Sequence, residues 1–197
     1  KVFTCQVYIL EMIASHYTEA DSPVVKSSRL SGIFDHLSTA IDNVSELSTL
    51  VLGAKNTFVL GSKWGHAIAL EAALKIKELS GVNMQAYPTA ALKHGPFAVL
   101  NEDSLVVLLM LRGERFSRGE GSYQEIAGRD TRIVVITDDP AAQFPRSALT
   151  IRLPQQDEMC SALASVVLFQ QVAVAMAIAK HLNPDYPRNL AKCVTVR

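Results

Sequence analysis

Three charged side chains in the first half of the chain have the spacing of a single helical face. Glu71, Lys75 and Glu78 lie at i, i+4 and i+7 of a helical pattern, which places them within one narrow stripe. An imidazole follows at His94. A carboxylate, an ammonium and an imidazole are the components of an acid/base site. The sequence therefore predicts that these groups gather near a strand-to-helix turn.

An ordinary surface ion pair is the competing interpretation of this stripe, because Glu71 precedes Lys75 in the favourable i,i+4 order. Apolar residues flank the stripe on both sides, which makes it narrower than a solvated face usually is: Leu70, Ala72, Leu74 and Leu79. On spacing alone both interpretations stay open.

Strand and helix patterns alternate from residue 57 onward. Apolar, β-prone runs predict strands at 58–60, 104–111, 132–137 and 149–153, and helical patterns cover 65–80, part of 115–127, and 161–181. The runs SLVVLLML and RIVVIT are typical of parallel strands that are buried on both faces. The alternation predicts an α/β class protein with a layered α/β/α sheet. In such sheets ligands bind at the carboxyl ends of strands, where Gly61, Ser62 and Lys63 would lie.

Composition restricts the classes of function. The chain has 197 residues, of which 49% are hydrophobic, and its 19 basic residues balance its 19 acidic ones. This suits one compact domain with some appended helix, and it gives no reason to expect nucleic acid as a partner. The three cysteines (Cys5, Cys160 and Cys193) form no CxxC pair, so neither a disulfide framework nor a zinc site is expected. A cytoplasmic location is the simplest expectation.

The segment 160–179 has no charged residue and imitates a membrane span. Gln170 and Gln171 at its centre favour a buried core helix instead, and no membrane partner is expected. Helical patterns at 2–17 and 28–52 precede the sheet and have no strand to cover, which predicts a brace or linker. The amino-terminal KVFTCQVYILEM lacks an initiator Met and predicts a cut inside a larger protein. Two prolines after Leu182 predict an extended arm.

Three blocks of sequence resemble a known family. ALEAALKIKELS, ALKHGPFAVLNED and DYPRNLAKCVTV are similar to the carboxyl-terminal part of the glutamine:fructose-6-phosphate amidotransferases. The resemblance implies a three-layer α/β/α sugar isomerase (SIS) domain with a mainly parallel sheet. It divides the chain into the end of a first SIS domain with connecting helices (1–54), a second SIS domain (55–182) and a carboxyl-terminal catalytic arm (183–197).

The same resemblance implies a role for each residue of an isomerase site. Glu78 matches the base that moves a proton between C1 and C2 of the opened sugar, a role that suits a partly buried carboxylate. His94 matches the histidine that helps to open the sugar ring and that comes from the partner subunit of a dimer. Lys192 matches the lysine that forms a Schiff base with the ketone. Three further residues match positions that bind substrate or organise the pocket: Glu71, Lys75 and Ala191.

The implied activity is formation of glucosamine 6-phosphate from fructose 6-phosphate and glutamine-derived ammonia. It calls for a sugar phosphate, a homodimer, and upstream glutaminase and first SIS domains, but for no metal or organic cofactor. Because the phosphate-binding loops of the first SIS domain lie outside this sequence, the isolated chain is expected to be inactive.

The chain departs from the family pattern beside His94, where Ala90 and Ala91 replace the usual Gly-Glu and remove a carboxylate. Three alternatives therefore remain: a glucosamine-6-phosphate deaminase/isomerase of the SIS type, a non-catalytic module that binds sugar phosphates, and a purely structural dimerisation half. Retention of Glu78, His94 and Lys192 together argues against the binding module, and the intact PRNLAK arm favours the amidotransferase. The segment 112–121, rich in Arg and Gly, resembles nothing that can be assigned.

Overall fold

A computed structural model describes residues 2–18, 42–112, 116–155 and 158–190 of the chain. Five helices and five strands occur within these ranges, together with two short 3-10 helices at Thr89–Lys93 and Pro96–Val99. In chain order the longer elements are α1 (Val2–Thr18), α2 (Val44–Leu52), β1 (Asn56–Gly61), α3 (Trp64–Ser80), β2 (Met84–Pro88), β3 (Ser104–Met110), α4 (Phe116–Ala127), β4 (Arg132–Thr137), β5 (Leu149–Arg152) and α5 (Glu158–Ala179).

The strands form one sheet in the order β2-β1-β3-β4-β5, and every pair is parallel. Val59 of β1 lies opposite Ala86 of β2 on one side and Val107 of β3 on the other. All residues of β3 are buried, as expected for a central strand that is covered on both faces. The predicted parallel α/β/α fold is therefore confirmed.

Alternation along the strands divides the core into two layers. Val59 and Val107 point to a layer that also contains the inner faces of α2, α3 and α5. Phe58 and Val106 point to the opposite layer, which is covered by α4 and the two 3-10 helices. The sheet thus separates the helix that carries Glu78 from the segment that carries His94.

Helix α5 is long and apolar enough to cross a membrane by length and composition alone. Most of its side chains are instead buried in the core, and Phe169, Val172 and Met176 are at most 1% exposed. The amide of Gln170 donates a hydrogen bond to Thr4 Oγ1 of α1 at 3.2 Å. Helix α5 is therefore buried in the way that was predicted for a core helix.

The helices before the sheet are not a separate brace. Leu47 and Val51 of α2 are completely buried in the layer shared with α3 and α5. Phe3 and Val7 of α1 pack against the same layer. The expectation of a brace or linker is therefore wrong for α2. This helix packs on α5 and forms part of the core of the sheet domain. The earlier part of the predicted second helix, 28–41, lies outside the described residues.

Two local features differ from the sequence-based expectation. Strand β2 was not predicted, because MQAYP has mixed polarity and ends in proline, which an edge strand tolerates. Helix α4 is continuous through Gly119, where the pattern predicts an interruption. A Cβ at position 119 would overlap the sulfur of Met110, so glycine lets α4 approach β3 closely.

Candidate active site

The predicted stripe forms a charged cluster on α3. Lys75 Nζ lies 2.6 Å from Glu78 Oε2 and 3.9 Å from Glu71 Oε1, so one ammonium is placed between two carboxylates. The side chains of Glu71, Lys75 and Glu78 are 10%, 30% and 27% exposed. These values are lower than those of a freely solvated face. The cluster is partly shielded, and this strengthens its electrostatic interactions.

The inner face of α3 explains the orientation of the cluster. Ile68, Ala72 and Ile76 are buried against the sheet and α5, so the residues between them are turned away from the core. The helix ends at Ser80 and is capped by Gly81, whose left-handed conformation (φ 69°) lets its N–H donate to Lys77 O at 3.0 Å. Glu78 consequently lies in the last turn of α3.

Glu71 and Glu78 experience different local fields. Burial raises the pKa of the Glu71 carboxyl above its ordinary value, Lys75 opposes this change and Glu78 reinforces it. Glu78 lies at the negative end of the helix dipole, an unfavourable position for a carboxylate that the Lys75 ammonium offsets. The Lys75 ammonium is therefore closely paired with Glu78 and lies farther from the more buried Glu71.

Glu78 lines a groove of about 560 Å³ between the end of α3 and the segment 180–189. Charged and polar residues line much of it, including Lys77, Glu78, Lys180, Tyr186, Arg188 and Asn189. Lysine and arginine outnumber the single carboxylate in this lining. The groove thus offers a base within a cationic environment, which suits a negatively charged ligand.

One hydrogen bond joins the two walls of the groove. Lys180 Nζ donates to Ser80 O, the last residue of α3, at 2.6 Å. Its ammonium complements the exposed carbonyls at this helix end. His181 then adopts a left-handed conformation (φ 55°), and Leu182 N donates to Ala177 O at 2.9 Å, which turns the chain back toward α3. Lys180 is a groove residue that the sequence reasoning missed, because a lysine at a helix end is usually an ordinary cap.

The arm enters the groove before the chain reaches the predicted site residues Ala191 and Lys192. Pro187, Arg188 and Asn189 line the groove beside Glu78. Ala191 and Lys192 lie outside the described residues, so their predicted roles stay predictions. The direction of the chain nevertheless brings the segment before Lys192 to the end of the helix that carries Glu78.

His94 is held elsewhere. It is exposed and follows the 3-10 helix Thr89–Lys93, which Leu92 anchors in the α4 layer of the core. Glu78 belongs to α3 in the opposite layer. Within one chain the imidazole therefore lies apart from the stripe, and its arrival from a partner subunit, which the resemblance implies, stays a prediction. The physical reason for this separation is β2, the unpredicted edge strand, which carries the chain across the sheet between the two residues.

The groove also lies at the other end of the sheet from the expected ligand position. Gly61 ends β1, and Ser62 and Lys63 follow it at the carboxyl end of the strand, as predicted. Helix α3 runs back antiparallel to β1, so its last turn lies toward the amino ends of the strands, just before β2 begins at Met84. The groove at Glu78 is consequently remote from the Gly61 turn.

Within the described ranges, 2–18, 42–112, 116–155 and 158–190, no group of three or more His, Cys, Asp or Glu residues is arranged to hold a metal ion. What the site does contain is a carboxylate base, a paired ammonium and further cations. Such groups can transfer protons and bind an anion.

Comparison with known proteins places this geometry in a family. Residues 50–180 match the SIS domain. The isomerizing glutamine–fructose-6-phosphate aminotransferase of Methanosarcina acetivorans is 32% identical over 206 aligned positions, which cover 100% of this chain and 33% of the relative. The chain thus spans about a third of the length of this relative.

Two solved structures share the fold. The C-terminal domain of glucosamine-fructose-6-phosphate aminotransferase from Francisella tularensis matches with a TM-score of 0.76 and 22% identity, over 88% of this chain and 47% of that one. Glucosamine-6-phosphate deaminase from Thermotoga maritima matches with a TM-score of 0.71 and 22% identity, over 99% and 56%. The family match covers more than half of the sequence, and the parallel sheet agrees with it, so the chain belongs to the SIS domain family.

Proposed function

We propose that this chain is the isomerase part of an aminotransferase that makes glucosamine 6-phosphate from fructose 6-phosphate and glutamine-derived ammonia. Curated relatives of that name align with the whole chain. The observation that carries the proposal is the groove that Glu78 shares with Arg188 and Asn189, which immediately precede the Lys192 segment. A base and an amine-bearing arm at one groove are what isomerisation of a ketose requires.

Glu78 acts as the base in this proposal. Its carboxylate takes a proton from C1 of the open sugar imine and returns it to C2, so that no net proton is lost. Lys75, 2.6 Å away, keeps the carboxylate paired between turnovers. Glu71, whose pKa burial raises, places a second carboxyl 3.9 Å from the same ammonium. Proton transfer of this kind contributes on the order of 10²–10⁴ in rate.

Lys192 forms the Schiff base with the ketone of the open sugar, as the family resemblance implies. Its amine attacks C2 and water leaves, and ammonia later displaces the lysine. Ala191 takes the substrate-binding or pocket-organising role that the resemblance implies for its position. Support comes from the described part of the arm, which reaches the groove at Asn189, three positions before Lys192.

His94 opens the sugar ring from the partner subunit of a homodimer. The support is geometric: the elements that carry Glu78 and His94 lie on opposite faces of the sheet within one chain. Two copies can present Glu78 of one and His94 of the other to the same sugar. Upstream first SIS and glutaminase domains would supply the phosphate loops and the ammonia in a cytoplasmic enzyme that needs no metal or organic cofactor.

A comparison of two lengths of protein tests this function. Glucosamine 6-phosphate formation from fructose 6-phosphate and ammonium should occur when the chain is extended upstream through a complete first SIS domain, and not with this chain alone. Absence of turnover in both, with sugar phosphate still bound, would instead support a sugar-phosphate-binding module.

A deaminase is the second candidate, because the deaminase fold of Thermotoga maritima covers nearly the whole chain, including the arm. The two functions differ in the direction of nitrogen transfer and in the use of glutamine. Product formation with glutamine as the sole donor in the full-length protein would support the aminotransferase. Release of ammonia from glucosamine 6-phosphate, without any use of glutamine, would support the deaminase.

A further inference from the structure

The turn that carries His94 is held on both sides by two residues, one in the last turn of α4 and one just after that helix. Lys93, immediately before it, places its Nζ 2.6 Å from Glu125 Oε1 of α4. Phe97, three residues after it, lies under Arg129, whose Cζ is 3.8 Å from the ring centroid. The two contacts bracket His94, which itself is exposed.

Glu125 and Arg129 form a single unit. They are one helical turn apart, and Arg129 Nη1 donates a hydrogen bond to the backbone carbonyl of Glu125. Beneath them, Leu92 is 1% exposed and Phe97 packs against the same core layer. An ion pair, a cation–π contact and an apolar anchor therefore fix the turn from three directions.

The turn needs such support because its backbone is unusual. Gly95 has a φ of 137°, a conformation that L-residues rarely adopt, and a Cβ there would meet nothing within 4 Å. Because glycine has more backbone freedom than other residues, the position of the His94 imidazole depends on the contacts that fix its neighbours. The usual carboxylate before this segment is also replaced, by Ala90 and Ala91.

We infer that Glu125 and Arg129 are positioning residues that hold the His94 turn in the geometry required for opening of the sugar ring. Their role rests on the function proposed for His94. They act through Lys93 and Phe97 and touch no substrate. Glu125 reaches the residue before His94 from another element of the fold, through its ion pair with Lys93.

Ring opening can be separated from the later chemistry by the choice of substrate. Fructose 6-phosphate closes its ring through the 5-hydroxyl, whereas 5-deoxyfructose 6-phosphate cannot close it and stays open. Loss of a ring-opening group slows the first compound and spares the second. A general loss of structure slows both.

The experiment compares five variants of the full-length protein on the two substrates, with thermal unfolding as a check on folding. His94→Gln should lower kcat on fructose 6-phosphate by about 100-fold. Glu125→Gln and Arg129→Leu should each lower it by about tenfold with unchanged KM. All three should retain turnover of the 5-deoxy compound. Lys55→Met removes a comparable exposed ion pair, Lys55 Nζ to Asp103 Oδ2 at 2.6 Å, and should change neither rate.

Arg129→Lys retains a cation over Phe97 and should recover most of the rate that Arg129→Leu loses. Equal losses on both substrates for Glu125→Gln and Arg129→Leu, or rates equal to those of Lys55→Met, would overturn the positioning role while the His94 function stands. Full activity of His94→Gln on fructose 6-phosphate would overturn the proposed ring-opening function and the positioning role together.

Discussion

Glu78 and His94 are both assigned to one reaction, yet the molecule holds them in different ways. Glu78 lies on a long helix whose inner face is completely buried, and its carboxylate is paired within the same helix. His94 lies on an exposed turn beside Gly95, and contacts from α4 hold its neighbours. Glu78 is thus fixed on a helix that packs in the core, whereas the imidazole of His94 is presented outward, as a residue that serves a partner would be.

The largest effect is expected at the base. Glu78→Gln keeps the shape of the side chain but cannot accept a proton, so isomerisation in the full-length protein should fall by about 10²–10⁴. Folding should be intact, because the side chain is 27% exposed. Product formation and thermal unfolding measure the two effects. Normal turnover would remove Glu78 as the base.

Lys180 tests whether the groove depends on the contact between its walls. Lys180→Met removes the hydrogen bond to Ser80 O and should lower the free energy of unfolding by about 1 kcal/mol, with Lys180→Arg closer to the native value. The value of kcat should fall by more than the loss of folded protein accounts for, because the segment that leads into the arm loses its attachment to α3. Chemical denaturation with parallel kcat measurements checks this. An unchanged kcat in Lys180→Met would show that the arm is positioned without it.

The smallest effect concerns pH and Glu71. Burial raises the pKa of Glu71 in the folded state, so the folded protein binds more protons than the unfolded chain between the ordinary and the raised pKa. This contribution to stability is present at low pH and is lost as pH rises through the raised value, from about pH 4 upward. Glu71→Gln cannot lose a proton.

The stability of Glu71→Gln relative to the native protein should therefore increase as pH rises through this window. The melting temperature, followed from about pH 3 to pH 7 for both proteins, measures the difference. Parallel curves would contradict a raised pKa at Glu71.

The contrast between Glu78 and His94 also explains which features of the fold and the site the sequence could predict. Continuous apolar runs identified β3 and β4, and i,i+4,i+7 spacing identified the cluster around Lys75, because both signals are local. The separation of Glu78 from His94 depends on β2, a short edge strand without an apolar run. Lys180 and Glu125 act across the fold, on partners 100 and 32 residues away, and no local pattern records such contacts.

The central claim is that a working site combines Glu78 of one subunit with His94 of the partner subunit. Mixing Glu78→Gln and His94→Gln versions of the full-length protein, unfolded and refolded together, tests it directly. Random pairing makes half of the dimers mixed, and each mixed dimer has one site with both native residues. The account predicts recovery of roughly a quarter of native activity. Activity no higher than that of the separate variants would show that both residues serve the same chain's site.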